Sequence, residues 1–223
     1  MRRRIVPLVL LAAVAALVAG GQAALAAAPG AGAAATDHRF WYLARATGLS
    51  AYLLLTLDVV LGVAVRTRFL DALLARWRSF DLHEFTALLA LGFLAAHLLA
   101  LLGDRYIGFR PWQVLVPLAS PYRPVPVALG VVACYLLLLV TGSFYARRQI
   151  GQRAWRALHY LTFGGWLLAL GHGLLAGTDT GTSWGLLLYA GSGFVVATLT
   201  IWRFQEPPAP AARPKVAARQ IAP

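Results

Sequence analysis

The sequence predicts an all-α integral membrane bundle of six transmembrane helices, or five if the N-terminal segment is a cleaved signal. Three observations predict it. Of 223 residues, 60% are hydrophobic and only 13% are charged, which a soluble domain of this size rarely shows. Apolar runs recur at about 20 residues, the length that crosses a hydrocarbon core. Backbone groups in lipid must also pair internally, and the alternation that a barrel needs is absent, so helices remain.

The elements follow in chain order. Residues 1–28 carry Arg2, Arg3 and Arg4, then an apolar run, then Ala24, Leu25 and Ala26. That layout fits a signal peptide and fits a first transmembrane helix equally. Residues 29–40 form an outer linker, with small residues from Pro29 to Ala35. The clear spans are expected at 42–65, 82–102, 125–145, 155–176 and 183–202, within a membrane domain of residues 41–203. Residues 204–223, rich in Pro and Ala, read as a disordered cytoplasmic tail.

The formal net charge is +12, yet nucleic acid is not the expected partner. The basic residues sit between the apolar runs and in the tails, as topology signals do. Fifteen lie before the first span, in the loops at 66–78 and 147–156, and after residue 202; five (Arg39, Arg45, Arg105, Arg110 and Arg123) lie on the other side. The larger set belongs in the cytoplasm by the positive-inside rule. This implies a multi-pass protein of a plasma (inner) membrane in contact with lipid, with both termini cytoplasmic if the first segment is retained. The spans at 82–102 and 155–176 then run the same way, from inside to outside.

Cys134 is the only cysteine and Met1 the only methionine. No disulfide within the chain and no covalently attached c-type haem is expected. A Gly-rich dinucleotide fingerprint is missing as well, so no bound FAD or NADPH is expected in this chain.

Four of the five histidines fall in two of the spans. His83 and His97 lie 14 residues apart in one, and His159 and His172 lie 13 apart in the other. Ionisable residues inside a membrane are costly and mark function by default. Parallel spans set His83 level with His159 and His97 level with His172, with about 20 Å between the levels at ~1.5 Å per residue. Imidazole is a good ligand for haem iron, and the separation suits two b-type haems, each held by two histidines. A structural zinc needs four ligands at one point, which these levels do not offer. Four histidines that merely hydrogen-bond neighbouring helices would not need this matching. One difficulty is geometric. At about 100° per residue, a step of 14 returns to the same helix face, whereas a step of 13 misses it by roughly 140°. The span at 155–176 therefore needs a local distortion, or its two haems must approach from different sides, and Gly164, Gly165, Gly171 and Gly173 could permit either.

The paired histidines, together with Trp41, Tyr42, Leu43, Ala44, Arg45, Ala46, Thr47 and Gly48 at the entry to the first clear span, resemble the transmembrane domain of ferric reductases and NADPH oxidases. The resemblance covers residues 40–203. It implies that His83 and His159 hold an inner haem, that His97 and His172 hold an outer one, and that electrons pass outward. The flavin and NADPH domain of that family has no counterpart here. The layout is similar to stand-alone haem subunits, such as the one serving a bacterial periplasmic methionine sulfoxide reductase. That implies a quinol or a separate flavin reductase as donor, with ferric iron or an extracytoplasmic reductase as acceptor. Superoxide-forming members carry a further histidine where this chain has Leu101, which speaks against that activity. A membrane protein of another kind, a transporter component or scaffold keeping the fold without haem, is the rival reading.

Other residues have two readings each. Arg45 would meet a haem propionate or an acceptor. Arg105, Arg110, Arg123, Tyr106 and Trp112 outside, and Arg78, Arg153 and Arg156 inside, are candidates for the same anionic groups. Asp58 would accept from a histidine ligand or bond another helix. Glu84 reads as a solvated acid at a helix start, and His38 as a loop residue. Phe93, Phe163 and Trp166 fall between the two levels, where they pack or fill the gap.

Overall fold

The structure, a computed structural model, describes residues 38–67 and 76–205. Among them are seven helices and no strand: α1 (Arg39–Thr67), α2 (Arg76–Gly103), α3 (Pro111–Leu115), α4 (Pro124–Ile150), α5 (Gln152–His159), α6 (Leu161–Ala176) and α7 (Ser183–Gln205). Four of these, α1, α2, α4 and α7, are long and apolar enough to cross a membrane. Their outward faces are apolar too. Leu187 and Phe194 on α7 are each 73% exposed, a surface suited to lipid and unfavourable in water. The expected signal or first span at 1–28, most of the linker, and the tail from 206 lie outside the described residues.

Helix ends follow local chemistry. α4 opens with Pro124 and Pro126 in its first turn, where the missing N–H groups have no intrahelical acceptor anyway. It ends at Gly151, whose φ of 84° suits a residue without a side chain. The Thr182 hydroxyl accepts from Gly185 N–H at 3.1 Å and caps the start of α7.

The span expected at 155–176 is not one helix. It breaks at Tyr160 into α5 and α6, and α6 keeps only 16 residues. Tyr160 has φ −65° and ψ −20°, values of a 3₁₀ turn. Phe163 N–H donates to Tyr160 O at 3.2 Å, a bond across three residues rather than four. The tighter winding changes the face that His159 presents relative to His172. The break is a local distortion at the residue after His159, ahead of the glycines expected to permit one.

Packing separates α2, which carries His83 and His97, from α6, which carries His172 and follows His159 at the end of α5. α2 lies chiefly against α1, and α6 chiefly against α4, while α2 and α6 have almost no direct contact. α1 also packs on α6 and α7. Trp166 Nε1–H donates to Thr56 Oγ1 at 3.0 Å, and Tyr52 and Ser192 hydroxyls meet at 2.5 Å, tying α1 to α6 and α7. Leu55, Val59, Trp166 and Val196 form a buried cluster at this junction. Trp166 is thus core packing, as one of its two readings has it.

Candidate functional site

The gap between α2 and α6 holds two cavities, one above the other. The first, about 630 Å³, is lined by His83 and His159; the second, about 230 Å³, by His97 and His172. The ring centres of His83 and His159 are 6.1 Å apart, and those of His97 and His172 are 6.4 Å apart. All four expected histidines are therefore paired as their spacing suggests, and α2 and α6 run in the same direction.

The imidazole rings are oriented from the neighbouring helices. His97 Nδ1 bonds Ala44 O at 2.7 Å, and His172 Nδ1 bonds Pro126 O at 2.8 Å. A carbonyl oxygen only accepts, so in each neutral ring the proton sits on Nδ1 and Nε2 keeps its lone pair free for a metal. In both cases the residue four positions on along the neighbouring helix is glycine. A Cβ on Gly48 would lie 2.8 Å from His97 Nδ1, and one on Gly130 would lie 2.8 Å from His172 Nδ1. The missing side chain lets the ring lie against the backbone and reach a carbonyl already used within its helix.

His83 repeats the arrangement with one change. A Cβ on Gly62 would be 3.3 Å from His83 Cε1. Four residues before Gly62 stands Asp58, and its Oδ1 lies 2.8 Å from His83 Nδ1. That distance makes an ion-pair contact, although the angle departs from a straight hydrogen bond. Thr86 Oγ1 donates to the same Oδ1 at 2.9 Å, and the carboxylate is buried. Both readings of Asp58 are met: it bonds the Thr86 hydroxyl of α2 and lies beside a histidine. His159 differs again: it lies at the end of α5 with the Trp155 ring 5.3 Å away.

The donor set suits a particular kind of metal group. Among the described residues no three His, Cys, Asp or Glu side chains converge on one point, so an ion held by side chains alone lacks ligands. Two imidazoles per level instead match an iron whose four equatorial positions are filled by a porphyrin. With imidazole nitrogen about 2.0 Å from a metal and about 1.1 Å from its own ring centre, two opposed ligands put the ring centres roughly 6.2 Å apart. The observed 6.1 and 6.4 Å fit that spacing. The first cavity also falls in the usual size range of ligand sites, about 300–1,000 Å³, whereas the second is tighter.

Leu55, Ala90 and Leu137, from α1, α2 and α4, line both cavities. They form an apolar partition one side chain thick. The aromatic residues expected between the levels do not: Phe163 lines only the first cavity, and neither Phe93 nor Trp166 lines either. The step along α2 from Phe93 to Ala90 is three residues, too fine for hydropathy to resolve.

The charged candidates sort differently from expectation. Arg45 lines the second cavity, and its guanidinium binds both oxygens of Asp179, with Nε 3.2 Å from Oδ2, while stacking 4.3 Å from the Trp41 ring. Arg105, Arg110, Arg123, Tyr106 and Trp112 do not line either cavity; Arg123 donates instead to Leu175 O at 2.8 Å, and Tyr106 and Trp112 are exposed. At the other end Arg156 lines the first cavity together with Arg66, Arg147 and Arg203, while Arg78 and Arg153 do not. Glu84 lines that cavity too and accepts from the Tyr145 hydroxyl at 3.4 Å. Arg203 donates to the Tyr160 hydroxyl at 3.1 Å, bracing the helix break.

Comparison of the chain with protein-family profiles, with curated proteins and with solved structures gives no match.

Proposed function

We propose that this chain is a di-haem b-type cytochrome that relays electrons across a membrane. One observation carries the reading: two histidine pairs, one at each end of a parallel arrangement of α2 with the α5–α6 segment, each separated as two ligands of one iron would be. His83 and His159 would hold one haem, and His97 and His172 the other. Haem supplies a one-electron ferric/ferrous couple.

The chain's own residues do the rest. Ala44 O, Pro126 O and Asp58 fix the orientation of three of the imidazoles. Leu55, Ala90 and Leu137 keep the space between the two levels dry. Arg66, Arg147, Arg156 and Arg203 ring the His83 cavity, where anionic propionates want cationic partners. On this reading the membrane is a plasma (inner) membrane, and the excess of basic loops supports a cytoplasmic position for that end. Electrons would enter there from a quinol or a separate flavin reductase. They would leave at the Arg45 end to ferric iron or an extracytoplasmic reductase, as the resemblance to ferric reductases implies.

The test is a reduced-minus-oxidised optical spectrum of the purified chain with haem counted per polypeptide. Two low-spin b-type haems are expected. A chain that stays free of haem after expression with ample haem supply sinks the reading and favours a non-redox membrane protein.

A further inference from the structure

Three of the four imidazoles lie against a neighbouring helix in one repeated way. In each case a glycine faces the ring and the acceptor belongs to the residue four positions earlier. The pairs are Ala44 with Gly48, Pro126 with Gly130, and Asp58 with Gly62. Two of the three acceptors are neutral backbone carbonyls. The third is a carboxylate, buried and held in place by the Thr86 hydroxyl at 2.9 Å. The two levels are therefore unequal. At the His97/His172 level both rings meet neutral acceptors, and at the His83/His159 level one ring meets an anion.

The geometry points to Asp58 as a positioning residue that lowers the ferric/ferrous potential at the His83/His159 level, an inference resting on the di-haem reading. A carboxylate on Nδ1 pulls the proton away from the ring more strongly than a carbonyl does. The imidazole becomes a better donor through Nε2, which favours the more positively charged ferric state. His159, the other ligand this level would have, has no such acceptor among the described residues; Asp58 reaches it only through space, so its contact with His83 is the main route. Arg66, Arg147, Arg156 and Arg203 line the same cavity and act on it through space; replacing Asp58 leaves them in place, so a shift on replacement belongs to Asp58. The asymmetry makes transfer from the His83/His159 level toward the His97/His172 level more favourable.

The experiment is a potentiometric titration of the purified, haem-loaded full chain, natural and Asp58→Asn, following both haems by optical and electron paramagnetic resonance signals. Asparagine keeps a neutral acceptor, so the variant turns this level into a likeness of the other. The expected result is that both haems stay low-spin while one ferric/ferrous equilibrium shifts toward ferrous by tenfold or more, which is about 59 mV for one electron. The other haem, the one lost in His97→Ala, does not move. A merely structural role for Asp58 would lower haem content without this one-sided shift. If both haems bind and neither moves, or both move alike, the inference is overturned and the di-haem reading stands. A natural chain without haem overturns both. If Asp58→Asn fails to load or fold, redox-difference infrared spectra of the natural chain decide. A carboxylate band that follows the lower-potential haem alone supports the role, and its absence removes it.

Discussion

Gly130 and His172 approach so closely that one methyl group does not fit between them: a Cβ at Gly130 would sit 2.8 Å from Nδ1, 2.9 Å from Cε1 and 3.0 Å from Cγ of the ring. The glycine and the ring meet where His172 reaches Pro126 O. Neither the ring nor the helix backbone can yield without losing that bond.

Gly130→Ala and Gly48→Ala should therefore each displace a ring and empty the His97/His172 level. The overpacking costs about 1–3 kcal/mol. Gly142→Ala on the same helix as Gly130 is the control, because nothing lies within 4 Å of the added Cβ. It should leave haem content unchanged and stability equal or slightly higher. Haem per chain and thermal unfolding in detergent read both outcomes. A Gly130→Ala protein with full haem content would contradict the close-contact argument.

His97→Ala and His172→Ala should remove the same haem, because the two rings face each other across 6.4 Å. The double variant should lose no more than either single one. His83→Ala and His159→Ala should together define the other haem. Optical spectra of the four variants test the pairing directly; loss of different haems from His97→Ala and His172→Ala would break it.

Inserting one alanine between Tyr160 and Leu161 should turn His159 by about 100° relative to His172. The insertion restores the 14-residue spacing seen on α2, yet it should empty the His83/His159 level. With the break as it stands, His159 already faces His83, at 6.1 Å between ring centres. Retention of both haems would mean that the break, rather than the spacing, is adaptable.

Arg45 and Asp179 form a half-buried, two-contact ion pair. Arg45→Ala and Asp179→Ala should each destabilise the fold by roughly 1 kcal/mol, and the double variant by little more than either. Unfolding midpoints of the three variants measure the coupling. Additive losses would show that the pair contributes nothing of its own.

Much of this was legible in the sequence, and the residues show why. Apolar runs of spanning length give α1, α2, α4 and α7 because lipid selects composition strongly. The histidines stand out because an ionisable group in such a run is rare, and their matched spacing pairs them. Asp58 is conspicuous for the same reason. Gly48, Gly62 and Gly130 were not legible as partners of the histidines, since small residues are common wherever apolar helices pack. The break at Tyr160 was missed because no proline marks the turn; the change from the polar, amphipathic 152–159 to the apolar 161–176 was the signal that could have shown it. Of the arginines chosen by nearness to a histidine in sequence, Arg156 lines the cavity and Arg78 and Arg153 do not. Long side chains at loop ends reach a cavity according to helix direction, which brings in Arg66, Arg147 and Arg203 and leaves out Arg78 and Arg153.

The partition of Leu55, Ala90 and Leu137 has an electrical consequence. On the relay reading, an electron passing between the two levels travels about 20 Å through a core about 30 Å thick. The three side chains offer no group that could carry a proton or ion along with it. The step is then electrogenic, covering roughly two-thirds of a potential drop that is worth about 2.3 kcal/mol per charge at 100 mV. The resting voltage of the membrane, negative inside, would push electrons outward and set how fast the relay runs.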